Sequence, residues 1–157
     1  MNTKFLRKDL IKTCEEHGFN VLRGPSDWRI FYKADIFRKG AWLEYGGHMN
    51  SLIDLNTIGE DGFVIESKAK YIIPSKDEEN KLNFKLVDSI SEDNLNEEQL
   101  KMVYKFKAYE KLNDMEIENL EDLGRYLESF KVSVNKCRVL KKEIPMKLKM
   151  EKIREMF

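Results

Sequence analysis

Cysteine and histidine are scarce in this chain of 157 residues, and their scarcity removes whole classes of chemistry. Cys14 and Cys137 are the two thiols, and His17 and His48 are the two imidazoles. One pair of cysteines makes no disulfide framework, and a Cys/His metal site would need more of these residues than the chain has. Cys14 falls on the apolar side of the first predicted helix, where it reads as a small buried hydrophobe. His17 sits at that helix's C-terminus, where a cation is favourable, and His48 beside Gly46-Gly47 reads as a hydrogen-bonded structural residue. Ser26 and Ser67 have no His–Asp partners, which excludes a hydrolase triad. No glycine-rich loop has P-loop or Rossmann spacing. No cofactor is expected. No apolar run approaches the roughly 18 residues of a membrane span. The opening MNTKFLRKDLIKT lacks the apolar region of a signal peptide. The expectation is a cytoplasmic protein with no membrane association.

Net charge is also absent, yet its distribution is uneven. The 28 basic and 28 acidic residues cancel. By segment, residues 1–87 carry net +1, residues 88–130 net −7 and residues 131–157 net +6. The basic block can meet nucleic acid or an acidic partner, or it can neutralise the acidic segment beside it. Adjacency and near-equal size favour neutralisation. With 41% hydrophobic and 36% charged residues, the balance is globular rather than disordered.

The pattern along the chain predicts one α+β domain over residues 1–157. It comprises a helix and a four-stranded antiparallel β-meander (1–90), then about three helices in a C-terminal part (91–157). Phe5, Leu6, Leu10, Ile11 and Cys14 give the 3–4 spacing of a helix from Thr3 to His17, with Gly18 as the left-handed residue past its end. FNVLR reads as a short strand before the turn Gly24-Pro25-Ser26-Asp27. Alternation from Trp28 to Phe37, the turn Arg38-Lys39-Gly40, and a strand from Ala41 to Leu55 open the meander, with Gly46-Gly47 as a bulge. The turn Gly59–Gly62, a strand from Phe63 to Ile73 closed by Pro74, and LNFKLVD with Leu82, Phe84 and Leu86 inward complete it. Hairpin-length turns imply antiparallel neighbours throughout.

After Ser91 the period becomes 3.6. Asn94 with Glu97 fits a capping box opening a helix that ends near Leu112. Asn113-Asp114 can cap the next, which carries Ile117, Leu120, Leu123, Leu127 and Phe130. Gly124 inside it costs about 1 kcal/mol against alanine, which points to close packing. Residues 131–140 fit a strand or a helix. Pro145 suits the first turn of a last helix whose apolar stripe is Met146, Met150, Ile153 and Phe157.

The sharpest chemical pattern is Asp54 followed by Glu66-Ser67-Lys68. Two carboxylates on neighbouring strands can share a Mg²⁺, and the lysine can position water or stabilise developing charge. SLIDLNTIGEDGFVIESKAK resembles the core of the PD-(D/E)xK nuclease superfamily, and within it the archaeal-type Holliday junction resolvases. RKDLIKTCEEHGFNVLRGPS is similar to their first helix and strand. The resemblance implies catalysis by Asp54, Glu66 and Lys68, with a Mg²⁺ on Asp54 and Glu66. Glu15 or Glu16 would be a further ligand, and Gln99 the polar residue of a later helix. The segment from Trp28 to Ser51 is an insertion against that pattern, and Ile53 stands where the family has proline.

A second pattern is a surface. The outward side of the meander would show Arg29, Phe31, Lys33, Phe37, Lys68, Lys70 and Lys85. Aromatic and basic groups together suit protein contact, or stacking and phosphate contact with nucleic acid. The Lys/Glu/Asn/Ile-rich composition resembles the accessory proteins of low-GC bacteria and their phages. That resemblance implies a protein that inhibits a host protein or ribonucleoprotein complex by binding it, with an anti-CRISPR as the concrete form. A binding protein is the leading expectation, and a metal-dependent nuclease the alternative. The oligomeric state is left open.

Overall fold

The computed structural model describes residues 3–23, 28–37, 41–44, 51–59, 61–66, 70–76, 79–91, 95–112 and 115–157, with the backbone alone for Trp42 and Glu44. Among them are nine strands and three helices. The strands are β1 (Phe5–Leu6), β2 (Asn20–Arg23), β3 (Trp28–Tyr32), β4 (Ala41–Glu44), β5 (Ser51–Thr57), β6 (Gly62–Glu66), β7 (Tyr71–Lys76), β8 (Leu82–Val87) and β9 (Glu110–Lys111). The helices are α1 (Arg7–Glu16), α2 (Glu97–Phe106) and α3 (Leu120–Glu155). The α+β class stands, but the single four-stranded meander does not. One sheet has six strands in the order β1-β6-β5-β4-β3-β2, and a second has three in the order β8-β7-β9.

Two departures explain the difference. The long strand expected from Ala41 to Leu55 is two strands, β4 and β5, and they pair in parallel. A parallel neighbour ordinarily needs a crossover of a dozen residues. Here the parallel pairing is short and covers only Trp42–Glu44. The register slips between Trp42 and Leu43, so Leu52 is an extra residue on β5, and Leu52 and Ile53 are both buried. The strand expected from Phe63 to Ile73 also divides. Its first part, β6, closes the large sheet, and its second part, β7, founds the small one. Pro74 does not close that strand but lies within β7 opposite Phe84, at a point where β9, pairing only with Tyr71 and Ile72, no longer flanks it. The expected bulge at Gly46-Gly47, the Arg38–Gly40 turn, His48, Lys68, Asn94 and the Asn113-Asp114 cap lie outside the described residues.

Helix α1 begins later than the apolar spacing predicts, because Phe5 and Leu6 pair with Phe63 and Gly62 as strand β1. It ends as predicted. Gly18 has φ +83°, and the Phe19 N–H donates to the Cys14 carbonyl at 2.9 Å. Helix α2 has its capping box at Asn96 and Gln99, where each side chain accepts from the other's backbone N–H. It stops at Phe106 because Lys107 is left-handed, and the chain then supplies β9 to the small sheet. Helix α3 is capped by Asn119, which accepts from the Asp122 N–H at 2.8 Å. It runs on through residues 131–140 and through Pro145. The separate last helix is therefore absent, and α3 is about 54 Å long.

The main core lies between one face of the large sheet, α1, α3 and the Phe84/Leu86 side of the small sheet. Phe130 is its joint. Its ring meets Phe19, Tyr32 and Phe37 at centroid distances of 6.2, 5.7 and 6.2 Å. The sheets touch where Phe37 bridges to Phe84 and the Phe84 N–H donates to the Ile36 carbonyl at 2.7 Å. A smaller cluster of Ile73, Leu95 and Val103 forms where α2 covers the other side of the small sheet. No helix among the described residues is long and apolar enough to cross a membrane.

Gly124 does mark a close approach. It is the point on α3 that faces the α1 C-terminus, and a Cβ there would stand 2.7 Å from the His17 Nε2. That ring is held by a 2.7 Å hydrogen bond from its Nδ1 side to Glu128, and Lys131 Nζ donates to the His17 carbonyl at 3.1 Å. A larger residue has to expel the imidazole and break this clasp. Gly124→Val is expected to lower stability by about 2 kcal/mol. Urea unfolding would show it, and an unchanged midpoint would mean that α1 and α3 slide apart freely.

Three carboxyls tie α3 to its surroundings and share one pH behaviour. Asp35 is held below its ordinary value of 3.8, first by its hydrogen bond from Arg138. Glu128 is held below 4.5, first by His17, and Glu151 below 4.5, first by Lys101. A carboxyl held low in the folded chain contributes stability above its unfolded value, and that contribution is lost as pH falls through the folded value. Stability is thus expected to decline below about pH 4. Asp35→Asn should remove part of that decline in thermal melts. The loss should be smaller at high salt, since all three groups meet water. A decline as steep in Asp35→Asn as in the parent would assign it elsewhere.

Candidate functional site

Strands β5 and β6 pair antiparallel, with Leu55 opposite Ile65 and Asp54 opposite Glu66. Leu55 and Ile65 pack in the core, so the pleat turns Asp54 and Glu66 to the other face. Directly opposed residues have Cβ atoms about 5 Å apart, close enough for two carboxylates to reach one ion. Ser51 Oγ donates to Asp54 Oδ1 at 3.1 Å, and Asn56 Nδ2 donates to Glu66 Oε2 at 3.2 Å. Asp54 is half-buried and Glu66 exposed. Strand β4 brings the backbone of Glu44 level with Asp54.

The rest of the nuclease pattern does not assemble around this pair among the described residues. Glu15 and Glu16 ride on α1, in the helical layer, and Glu15 meets Arg23 at 3.5 Å. Gln99 is taken up by the α2 cap, and its Nε2 donates to the Pro74 carbonyl at 2.9 Å. Lys68 lies outside the described residues. Among the described residues, no group of three or more His, Cys, Asp or Glu is placed to hold a metal ion. Both thiols are buried, and burial pushes Cys14 and Cys137 up to about 12, which keeps them protonated and unreactive.

The aromatic–basic surface is divided by the same split between sheets. Arg29 and Phe31 lie on β3, on the face that carries Asp54 and Glu66, and Lys33 follows the strand's end. Phe37 is not on this surface, because it lies in the core stacked on Phe130. Lys70 is buried too, with its ammonium 2.5 Å from Asp88. Lys85 belongs to the small sheet, opposite Ile73, on the side that α2 covers.

A different apolar surface emerges on α3. Its core-facing residues from 134 onward are Val134, Cys137, Leu140, Ile144 and Leu148. Met146, Met150, Ile153 and Phe157, expected to form the packed stripe, face outward instead. Met146 is 67% exposed and Ile153 47%. Val132 and Val139 continue the same line, each 54% exposed. At about 100° per residue, Val132, Val139, Met146, Met150 and Ile153 fall within an arc of about 60°, opposite Ile144 and Leu148. The seven-residue spacing of Val132, Val139, Met146 and Ile153 was the available signal. It is masked in the sequence by the second stripe that runs down the other side.

No family model matches this chain, and neither the curated proteins nor the solved structures include a significant match.

Proposed function

We propose that the chain is a binding module that acts by occupying a host protein or ribonucleoprotein complex. Its concrete form is an anti-defence protein, such as an anti-CRISPR, carried by a phage or mobile element. The observation that supports this reading is the outward stripe of α3. A long apolar ridge held in water by a well-anchored helix is unfavourable for a monomer and useful to a protein that binds another. The anchoring is visible in the opposite face, where Ile144 is fully buried and Glu151 meets Lys101 and Lys105 at 2.7 and 2.9 Å. The test is expression in bacteria whose CRISPR interference destroys a targeted plasmid. Restored plasmid maintenance that survives Glu66→Ala supports the reading. Undiminished interference, together with no stoichiometric complex on purification from the same cells, opposes it.

A second reading rests on the register of Asp54 with Glu66, the pair that a Mg²⁺-dependent nuclease would use. Its test is cleavage of a branched DNA junction in Mg²⁺ or Mn²⁺. Activity lost at least about a hundredfold in Asp54→Asn and in Glu66→Gln supports it. No cleavage in either metal, or cleavage unchanged by both substitutions, removes it.

A further inference from the structure

We infer that the outward stripe of α3 docks an α-helical segment of another protein that is apolar along one line and acidic on the flank that meets Lys142 and Lys149. The inference rests on the binding-module reading and names the chemistry of the partner.

The argument begins with the basic block. Its charge was expected to be absorbed by the acidic segment beside it, and most of it is not. Of the nine basic residues from 131 onward, Lys131 and Lys136 pair with acids of residues 88–130, namely Glu128 at 2.9 Å and Glu110 at 3.5 Å. Arg138 reaches Asp35 at 2.6 Å, Lys141 reaches Asn83, and Lys147 lies near Glu143 and Phe106. Lys142, Lys149, Lys152 and Arg154 are exposed and have no ion pair among the described residues. Helical geometry sets Lys142 and Lys149, seven residues apart, along one edge of the apolar line, and Arg154 along the other. Glu143 falls between Met150 and Arg154 on that second edge, so the unspent positive charge borders the stripe chiefly along the Lys142–Lys149 edge.

Two features choose the occupant. The line is narrow and follows a spacing of seven, which is the seam one helix offers another, whereas a helix lying on a membrane presents a wider apolar face. The border is basic, so an identical stripe from a second copy would place like charges side by side, at a cost at each contact. An acidic border on the partner relieves this and guides approach.

The probe is a synthetic four-heptad helical peptide with leucine at its two seam positions and glutamate at its flanking positions. A control peptide carries lysine at the same flanks. Fluorescence anisotropy with the full chain is expected to show the acidic peptide binding at least about tenfold more tightly than the basic one. Lys142→Glu with Lys149→Glu should reverse the order, and Met146→Ser with Met150→Ser should abolish binding of both. These positions are exposed, and circular dichroism checks that the variants keep their helix. Equal affinity for both peptides, or binding indifferent to the methionine pair, overturns the inference. So does a dimer in sedimentation that Met150→Glu dissolves, which makes a second copy the occupant. Binding to phosphatidylserine vesicles but not to the acidic peptide assigns the stripe to a lipid surface and overturns it too. If the peptide result fails while interference is still relieved in cells, the stripe is wrong and the module reading stands. If both fail, both fall.

Discussion

Phe130→Ala is expected to remove about 4 kcal/mol of stability, which is a large share of what a domain of this size possesses. Phe130 is fully buried, and its ring is the common contact of Phe19, Tyr32 and Phe37. These three come from the turn after α1, from the large sheet, and from the segment that bridges to the small sheet. Truncation at such a meeting point leaves a cavity that no single element can collapse into, so the cost is not at the low end of the range for phenylalanine. Phe130→Leu keeps most of the volume and should cost about 1.5 kcal/mol. Urea unfolding followed by tryptophan fluorescence would report both as shifts of the midpoint at constant slope. A loss below about 1 kcal/mol for alanine would mean that the layers are held together elsewhere.

Pro145→Ala is expected to act in the opposite direction, with a gain of about 2 kcal/mol. Pro145 lies inside α3, where it provides no N–H for the Lys141 carbonyl and its ring crowds that carbonyl. It is exposed, so alanine fills the position without disturbing the core. The full difference of about 3 kcal/mol between the two residues is not expected, because the helix already continues through the proline. Beyond it, Leu148 packs on the core and Glu151 reaches Lys101 and Lys105 on α2. Thermal melting of the variant decides between two roles. A higher midpoint identifies Pro145 as a tolerated defect. A lower one shows that the proline at this point is what seats Leu148 and Glu151.

The elements that local chemistry dictates were legible in the residues. The α1 stop at Gly18, the FNVLR strand, the inward Leu86 and Phe84, and the buried Cys14 follow from caps, turns and periods within a few residues of themselves. What failed were decisions made at long range. Alternation predicts a strand at 41–55 and another at 63–73, but it carries no information on which sheet each half joins. The capping signal slipped by two residues because Asn94 with Glu97 and Asn96 with Gln99 fit the same pattern. On α3 two apolar lines compete, and Ile144 and Leu148 are on the one that joins the main core. The candidate acidic pair was legible as a pair, since Asp54 and Glu66 are the two polar residues opposed across one hairpin. Which charges of the basic block would remain unpaired was not, because that depends on where Asp35, Glu110 and Glu128 arrive in space.

Both margins of the six-stranded sheet come from the first 23 residues: β1 forms one margin, β2 forms the other, and α1 runs between them. Strand β2 can pair with β3 as soon as both exist, but β1 has to wait for β6, which is made about 55 residues after it. During synthesis β1 is thus left without its partner until β6 has followed it. Losing them would bare two strand margins at once, on opposite sides, so a molecule trimmed there could join neighbours at both ends. Such a species would grow as a chain of molecules rather than stop at a pair.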